Sequence, residues 1–332
     1  MTADLERLAT AVLMAEAGPV SVLEIGRIRV AAPGPDEVLI HQTVIGLNFL
    51  DVCYRRGDLP MPRTPFINGF EGVGVVERVG SAVDGFSPGD RVGYALVAGA
   101  YADLRLLPAD RAILLPPDVS DVNAAASLLK GMTAEYLLHR AHAVTANDIV
   151  LVHAAAGGLG SLLCQWAKRK GATVIGTVGS PDKFANARMN GCDHVFSYAK
   201  QGWVEEVRGV TADLGPTVIY DGVGRTTFLG SLSVARERGL CFAFGFASGV
   251  PEPFDIRLLN KKSVTLANPG VQHYIATRDD LVLSSDRVFS ALRDRTIRVG
   301  DPHQLALSEI PKGHELLESR ASRGSIVAVT KP

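Results

Sequence analysis

Residues 149–168 constrain the fold of this chain more than any other segment. They begin with the apolar run Ile149-Val150-Leu151-Val152-His153, continue through Ala154-Ala155-Ala156-Gly157-Gly158-Leu159-Gly160, and end in a stretch with one apolar helical face. A continuous apolar strand is typical of a parallel sheet buried on both faces. Small residues between strand and helix allow a tight turn and let a pyrophosphate reach the N–H groups at the helix start. The strict G-x-G-x-x-G pattern is not met, so a purely structural turn stays open as an alternative.

The remaining pattern divides the chain into a β-rich first third and an alternating middle. Strands at residues 173–178, 195–196, 217–220 and 240–244 alternate with helices, which predicts an α/β fold with a parallel, doubly wound sheet. Short runs at residues 38–45, 72–80 and 90–94, separated by glycine-rich turns, predict a small barrel or rolled sheet. Residues 121–138 predict one or two helices interrupted at 130–133, and residues 278–293 and 325–329 predict a helix and a strand that returns to the first domain.

Charge and cysteine content narrow the function. The chain has 332 residues with 34 Lys and Arg against 35 Asp and Glu, a net charge of −1, so we expect no nucleic acid or anionic membrane as the main partner. The cysteines, Cys53, Cys164, Cys192 and Cys241, form no CxxC pair, which favours reduced thiols in a cytoplasmic protein. The start of the chain lacks the apolar core of a secretory signal, and charges interrupt every apolar run before the roughly 20 residues that span a membrane.

The end of the second inner strand predicts the cofactor. An NAD site usually has an Asp or Glu there that binds the ribose 2′-hydroxyl. Here the strand ends Thr177-Val178-Gly179-Ser180, and Lys183 follows within reach of a 2′-phosphate. Asp182 is the competing candidate, but as an acid in the first turn of a helix it has a structural explanation. The sequence therefore favours NADPH, with Lys183 as a solvated surface lysine as the alternative.

Several segments together resemble one protein family. Residues 147–160 with Gln165 and Lys168 resemble the characteristic segment of zeta-crystallin-type quinone oxidoreductases, in the medium-chain dehydrogenase/reductase superfamily. Supporting segments are Asn48-Phe49-Leu50-Asp51, Leu129-Lys130-Gly131-Met132-Thr133, Tyr220-Asp221-Gly222-Val223-Gly224-Arg225 and Leu317-Glu318-Ser319-Arg320-Ala321. The resemblance covers nearly the whole chain in order.

The resemblance implies a domain organisation, a cofactor and an assembly. It implies a GroES-like catalytic domain from residues 1–130 and 269–332, a Rossmann NADPH-binding domain from residues 131–268, no metal, and a homodimer. Together with the glycine turn, it gives the expected cofactor contacts: Asn48, Thr133, Tyr136, Gly157, Gly158, Leu159, Gly160, Gly179, Ser180, Lys183, Tyr198, Gly222, Phe244, Gly245, Phe246, Ala247, Pro269, Gly270, Val271 and Arg320. Of these, Lys183, Tyr198 and Arg320 would surround the 2′-phosphate.

The chain departs from its relatives at the expected substrate site. Zinc-dependent relatives carry a cysteine at the position of Asn48 and Gly-His-Glu at the position of Gly69-Phe70-Glu71. The family often has tyrosines where this chain has Cys53 and Leu59, so the expected pocket is more apolar. Asn48 is the residue expected near the nicotinamide, where it would orient the carboxamide or the substrate oxygen. Cys53 is a second catalytic candidate, with a packed, unreactive thiol favoured over it.

The resulting hypothesis is an NADPH-dependent reductase that transfers hydride to a quinone without metal. One alternative is reduction of the carbon–carbon double bond of enals or enones, and another is a crystallin-like protein that binds NADPH or RNA without catalysis. His139 and His142 have the spacing of a metal-binding pair on a helix, but without an identifiable third ligand they are better explained as surface histidines.

Overall fold

The computed structural model describes residues 6–62, 64–319 and 322–330. The chain divides into two compact units. The first unit comprises Met1–Lys130, Ile275–Arg293 and Val299–Pro332, and the second comprises Gly131–Tyr274 and Asp294–Arg298. The two expected domains, residues 1–130 with 269–332 and residues 131–268, stay a prediction, because a compact unit is not necessarily a part that folds on its own.

The first unit begins with short strands, as its β-branched runs and glycine turns predict. Its N-terminal elements are β1 (Arg7–Met14), β2 (Glu24–Val30), β3 (Glu37–Leu47), α1 (Phe49–Arg56), β4 (Phe66–Ile67), β5 (Glu71–Val79), β6 (Arg91–Ala95), β7 (Leu104–Pro108) and β8 (Ile113–Leu114). β1 and β2, which pair antiparallel, had no counterpart in the sequence prediction. α1 starts after Asn48 and ends at Gly57, whose φ of 82° is a left-handed conformation that glycine adopts without strain.

The predicted interruption at residues 130–133 is wrong. α2 runs without a break over Asp121–Glu135, and a π-helical turn follows over Tyr136–Ala141. A glycine inside a helix costs about 1 kcal/mol relative to alanine. Here Leu128, Leu129 and Met132 are buried, and burying each such side chain contributes about 1.5–3 kcal/mol, which outweighs the cost of Gly131.

The second unit has the predicted doubly wound parallel sheet. Its elements are β9 (Ile149–His153), α3 (Gly158–Arg169), β10 (Thr173–Val178), α4 (Phe184–Met189), β11 (His194–Ser197), α5 (Trp203–Val210), β12 (Val218–Asp221), α6 (Phe228–Val234), β13 (Leu240–Ala243) and β14 (Thr265–Ala267). Within the described ranges the sheet has the order β11-β10-β9-β12-β13-β14, and every pair is parallel. This order places β9 at the switch point, outside whose carboxyl end such sheets bind ligands.

The last elements of the chain join the larger of the two sheets in the first unit, the one that contains β3 and β5. It contains α7 (Arg278–Arg293), β15 (His303–Ala306), α8 (Ile310–Glu318) and β16 (Ile326–Val329). β16 pairs antiparallel with β3, with Ile326 opposite Leu47, and the side chains of both residues are buried in the core. No helix in the parts of the chain that the structure describes is long and apolar enough to cross a membrane.

Candidate active site

In the turn between β9 and α3, the backbone at Gly160 lies very close to the backbone at Ala154. Gly157 is the N-cap of α3, and no side chain among the described residues caps the helix there. A Cβ at Gly160 would collide with the carbonyl oxygen of Ala154, so the turn can close only with glycine at this position. The N–H groups of the first helical turn have no intrahelical acceptor, and a phosphate is a ligand that fits them.

Four predicted contact residues lie at the carboxyl ends of β10 and β11. Gly179 and Ser180 follow β10 directly, Ser180 precedes the short 3-10 helix Pro181–Lys183, and Tyr198 follows β11. A Cβ at Gly179 would lie 2.9 Å from the hydroxyl oxygen of Tyr198, so the absence of a side chain makes room for that hydroxyl. The structure thus brings Tyr198 to the end of the strand that precedes Lys183.

The next group of predicted residues lies at the ends of β12, β13 and β14. Gly222 follows β12, and Phe244 follows β13 with its N–H bonded to the carbonyl oxygen of Asp221 at 3.0 Å. The Ala247 N–H reaches the Gly222 carbonyl oxygen at 3.3 Å, which keeps the segment 244–247 against this strand end. Past β14, the hydroxyl of Tyr136 donates to the carbonyl oxygen of Pro269 at 3.1 Å.

Of the remaining predicted contacts, all but Arg320 lie in the part of the chain that the structure describes. Thr133 lies in the last turn of α2, directly before the π-helical turn that begins with Tyr136. Gly270 and Val271 follow Pro269 and lead into a short 3-10 helix. Arg320, predicted at the 2′-phosphate, lies outside the described residues.

A buried polar network that the sequence analysis missed supports these strand ends. The side chain of Asp221 is wholly buried and accepts hydrogen bonds from the N–H groups of Val223 and Gly224 at 2.9 and 3.0 Å. It also accepts from the hydroxyl of Ser231 at 2.9 Å, and Ser231 in turn lies 2.9 Å from Nε2 of His153. Burial lowers the pKa of His153, although Asp221 opposes this, so the imidazole is neutral near pH 7. A neutral imidazole has one donor and one acceptor nitrogen, which suits hydroxyl groups on both sides.

His153 also joins two strands of the sheet. Its Nδ1 lies 2.6 Å from the hydroxyl oxygen of Thr177 on β10. The network therefore links the carboxyl ends of β9, β10 and β12 through side chains. The predicted cofactor contacts follow these same strand ends. This linkage fixes the relative positions of the turns that carry Gly157, Gly179 and Gly222.

In the first unit, Asn48 belongs to a buried ionic cluster. Its Nδ2 donates to Oε2 of Glu71 at 2.8 Å, and Nζ of Lys130 lies 3.4 Å from the same oxygen. The other carboxylate oxygen of Glu71, Oε1, accepts from the backbone N–H of Leu129 at 2.6 Å. Asn48 and Lys130 are buried to more than nine-tenths and Glu71 completely. Lys130 stands in a segment that carried the family resemblance and Glu71 in the segment Gly69-Phe70-Glu71, where zinc-dependent relatives differ, but nothing in the sequence indicated that the two residues contact each other.

A second buried network lies behind Asn48. Oδ2 of Asp51 accepts from the Asn48 backbone N–H at 2.8 Å and from the Tyr101 hydroxyl at 2.8 Å, and Tyr101 contacts Nε2 of His314 at 2.9 Å. Burial raises the pKa of Asp51 to about 7, and burial with the nearby Arg55 guanidinium lowers the pKa of His314 to about 3. The backbone of Asn48 is therefore fixed by Asp51, while its side chain is fixed by Glu71.

Cys53, the second catalytic candidate, is half-buried in α1. Burial, with Asp58 adding to it, raises the pKa of its thiol to about 11, so the thiol is protonated near pH 7. Because the thiolate is the nucleophilic form, this environment disfavours covalent chemistry at Cys53. Tyr54, one place from the position where relatives often have tyrosine, stacks on Phe70 with ring centroids 4.7 Å apart.

The histidine pair considered as metal ligands has other partners. Nε2 of His142 lies 3.3 Å from Oδ1 of Asp148, and the ring of His139 packs edge-on against Trp166. Among the residues that the structure describes, no group of three or more His, Cys, Asp or Glu could hold a metal ion.

Comparison with known proteins gives the same architecture. The family described as alcohol dehydrogenase GroES-like domain matches residues 34–148, and the family described as zinc-binding dehydrogenase matches residues 158–281. The chain is 38% identical to quinone oxidoreductase 1 of Escherichia coli K12 over 326 residues, 97% of this chain and 100% of that protein. It is 40% identical to a 2-haloacrylate reductase of Burkholderia over 311 residues, 90% of this chain and 92% of that protein.

The fold agrees with a solved structure of the same kind. The crystal structure of Escherichia coli quinone oxidoreductase complexed with NADPH aligns with a TM-score of 0.94 at 37% identity, covering 96% of this chain and 99% of that one. This chain belongs to the quinone oxidoreductase family of the medium-chain dehydrogenase/reductase superfamily. The expected GroES-like and Rossmann architecture is thereby confirmed, and the chain is an oxidoreductase whose relatives support a nicotinamide cofactor.

Removing the positive charge beside Glu71 tests the ionic cluster. We expect Lys130→Met to lower the free energy of unfolding by about 3–5 kcal/mol, because a completely buried carboxylate loses its cation. Urea unfolding followed by circular dichroism measures the change. Lys168→Met is the matched control: Lys168 and Asp193 are an exposed pair, and losing it costs less than about 1 kcal/mol. Equal effects of the two substitutions would contradict a stabilising role for Lys130.

Proposed function

We propose that this chain is an NADPH-dependent quinone reductase that transfers hydride from the nicotinamide to the acceptor without a metal. The observation that carries the proposal is the row of predicted cofactor contacts at the carboxyl ends of β9 to β14 in a parallel sheet of dinucleotide-binding order. The relatives named quinone oxidoreductase, one of them solved with NADPH, support it. Bound NADPH supplies the hydride, and a quinone is electrophilic enough to accept it once both molecules are held in place.

Within this proposal each group of residues has a binding or orienting role. The first-turn N–H groups of α3 bind the pyrophosphate, and Lys183 with Tyr198 binds the 2′-phosphate. Asn48 contacts the nicotinamide, where its amide makes hydrogen bonds and has no role as an acid or base. Solvent protonates the reduced acceptor. Cys53 stays a predicted pocket residue whose protonated thiol lines the acceptor site.

A second candidate activity is reduction of an activated carbon–carbon double bond. It is favoured by the 40% identical relative named 2-haloacrylate reductase and by Cys53 and Leu59 at positions where the family often has tyrosines. Both activities use the same cofactor geometry and differ in the atom that receives the hydride. The acceptor therefore has to be determined by measurement.

The acceptor class is tested by following NADPH oxidation at 340 nm with para-benzoquinone, a polycyclic ortho-quinone, a panel of enals and enones, and 2-chloroacrylate. We expect quinones to be reduced with the highest kcat/KM, because their reduction needs only hydride and fast protonation of oxygen. Turnover of the enals or of 2-chloroacrylate alone would make double-bond reduction the activity. NADPH binding without turnover of any acceptor would indicate a binding protein instead.

The preference for NADPH is tested at Lys183. We expect Lys183→Ala to weaken NADPH binding about ten- to hundred-fold, because it removes a charge-assisted bond to the 2′-phosphate, and to leave NADH binding nearly unchanged. Fluorescence titration gives both dissociation constants. Lys200→Ala is the control, since this lysine is exposed and pairs with Glu206, and it should change neither constant. Equal losses for both cofactors would show that Lys183 does not bind the phosphate.

We also propose a homodimer formed at the β14 edge of the sheet. β14 ends the strand order, and the segment before it exposes Val250, Ile256 and Leu258. An edge strand next to exposed apolar side chains is a surface suited to pairing with a second copy.

Light scattering after size-exclusion chromatography tests the homodimer, with an expected mass of twice the 35.3 kDa chain. Ile256→Asp should give a monomer, because a charge would be buried in the apolar contact. Met189→Asp is the control, because Met189 is exposed on α4, which packs near β11 at the other edge of the sheet. A wild-type monomer at micromolar concentration would refute the dimer.

A further inference from the structure

Glu71 connects three segments of the first unit through one buried carboxylate. It is the first residue of β5, and its oxygens accept from the side chain of Asn48, which precedes α1, and from the Leu129 N–H and Lys130 side chain in α2. The fit around it is tight: a Cβ at Gly46 would meet Oε2 of Glu71 at 2.5 Å. Glycine at position 46 thus leaves the space that the carboxylate occupies, and the three donors hold the carboxylate there.

The chemistry of these groups fixes the orientation of the Asn48 amide. An ionised carboxylate only accepts hydrogen bonds, so the Asn48 atom that lies 2.8 Å from Oε2 must be the NH₂ nitrogen. The ammonium of Lys130 at the same oxygen compensates the negative charge, which keeps Glu71 an acceptor in a buried position. With the nitrogen bound to Glu71, the amide oxygen of Asn48 is the atom that can accept a bond from a ligand.

We propose that Glu71 is a positioning residue that turns the Asn48 amide so that its oxygen accepts a hydrogen bond from the carboxamide NH₂ of the nicotinamide. This inference rests on the proposed function, since it requires a nicotinamide cofactor at Asn48. The sequence left two possible partners for the Asn48 amide, the nicotinamide carboxamide and the substrate oxygen, and this inference selects the carboxamide. A quinone oxygen is an acceptor and cannot bond to the amide oxygen, so Asn48 orients the cofactor and does not bind the quinone carbonyl.

Binding of a cofactor analogue to wild-type protein and Asn48→Ala tests the contact. In 3-acetylpyridine adenine dinucleotide phosphate a methyl group replaces the carboxamide NH₂, so it keeps the carbonyl but lacks the donor. We expect wild-type protein to bind NADP⁺ about two- to tenfold more tightly than the analogue in isothermal titration calorimetry, the range of one hydrogen bond. In Asn48→Ala this ratio should fall to about one.

Two substitutions at Glu71 test its positioning role. Glu71→Gln offers Asn48 both a donor and an acceptor, so the Asn48 amide can turn over and the NADP⁺ preference should fall toward one. Glu71→Asp keeps the charge that compensates Lys130, and hence more of the stability, but its shorter side chain withdraws from Asn48 and should lower the preference as well. Glu77→Gln is the control on the same strand, where the carboxylate pairs with exposed Arg7 and should leave the ratio unchanged.

The outcomes separate this inference from the proposed function. Near-ultraviolet circular dichroism checks that each variant is folded. If folded Glu71→Gln and Glu71→Asp keep the wild-type ratio, Glu71 is only structural and the inference is wrong. If wild-type protein binds both ligands equally, Asn48 does not accept from the carboxamide, and the inference also fails while the proposed function stands. If wild-type protein does not bind NADP⁺ at all, the proposed function itself fails.

Discussion

The close approach of Gly160 to Ala154 is the constraint on which the parallel-sheet unit depends. Ala154 has a φ of 54°, a conformation that costs a non-glycine residue energy, and its carbonyl oxygen faces the space where any side chain at residue 160 would lie. The strained residue and the glycine together let α3 begin directly at the end of β9. This brings the helix N-terminus, with its unbonded N–H groups, to the switch point of the sheet, where phosphate binding is most favourable.

Each unit also contains a buried carboxylate that several donors hold in place. Asp221 has four donors, the backbone N–H groups of Val223 and Gly224 and the hydroxyls of Thr227 and Ser231, and Glu71 has three. Burying a carboxylate without partners costs several kcal/mol, so each of these groups fixes the segments that donate to it. In both units, carboxylates that do not react thus determine the positions of the residues predicted to bind the cofactor.

A secondary-structure element was predictable where the residues that specify it lie close together in the sequence. The strand, glycine turn and helix of residues 149–168 follow from periodicity and small residues, and the structure has β9 and α3 there. The alternation that follows gave the parallel sheet for the same reason. The continuity of α2 through Gly131 was not predictable. Burial of Leu128 and Met132 outweighs the low helix propensity of glycine, and burial depends on residues that are distant in the sequence.

The candidate site shows the same division. Gly179 was predicted from the end of a predicted strand, whereas Gly222 and Pro269 were predicted from the family resemblance. The contacts of Glu71 with Lys130 and of His153 with Asp221 join residues 59 and 68 positions apart, and no local pattern specifies such pairs. A charged residue such as Asp221 at the end of an apolar strand requires a partner once it is buried, but the sequence does not say which residue supplies that partner.

The protonation states of the predicted site residues bear on the choice of acceptor. Hydride transfer to a quinone leaves a phenolate, and protonation of an oxygen by water is fast. Hydride transfer to a conjugated double bond leaves a carbanion-like enolate, and its protonation at carbon gains from a positioned acid with a pKa near the working pH.

Asn48 is not an acid, and the thiol of Cys53, with a pKa of about 11, is a weak proton donor near pH 7. Asp51 has a pKa of about 7 but is completely buried and bonded to Asn48 and Tyr101. Among these residues none is an exposed acid of suitable pKa, and this favours an acceptor that is protonated on oxygen.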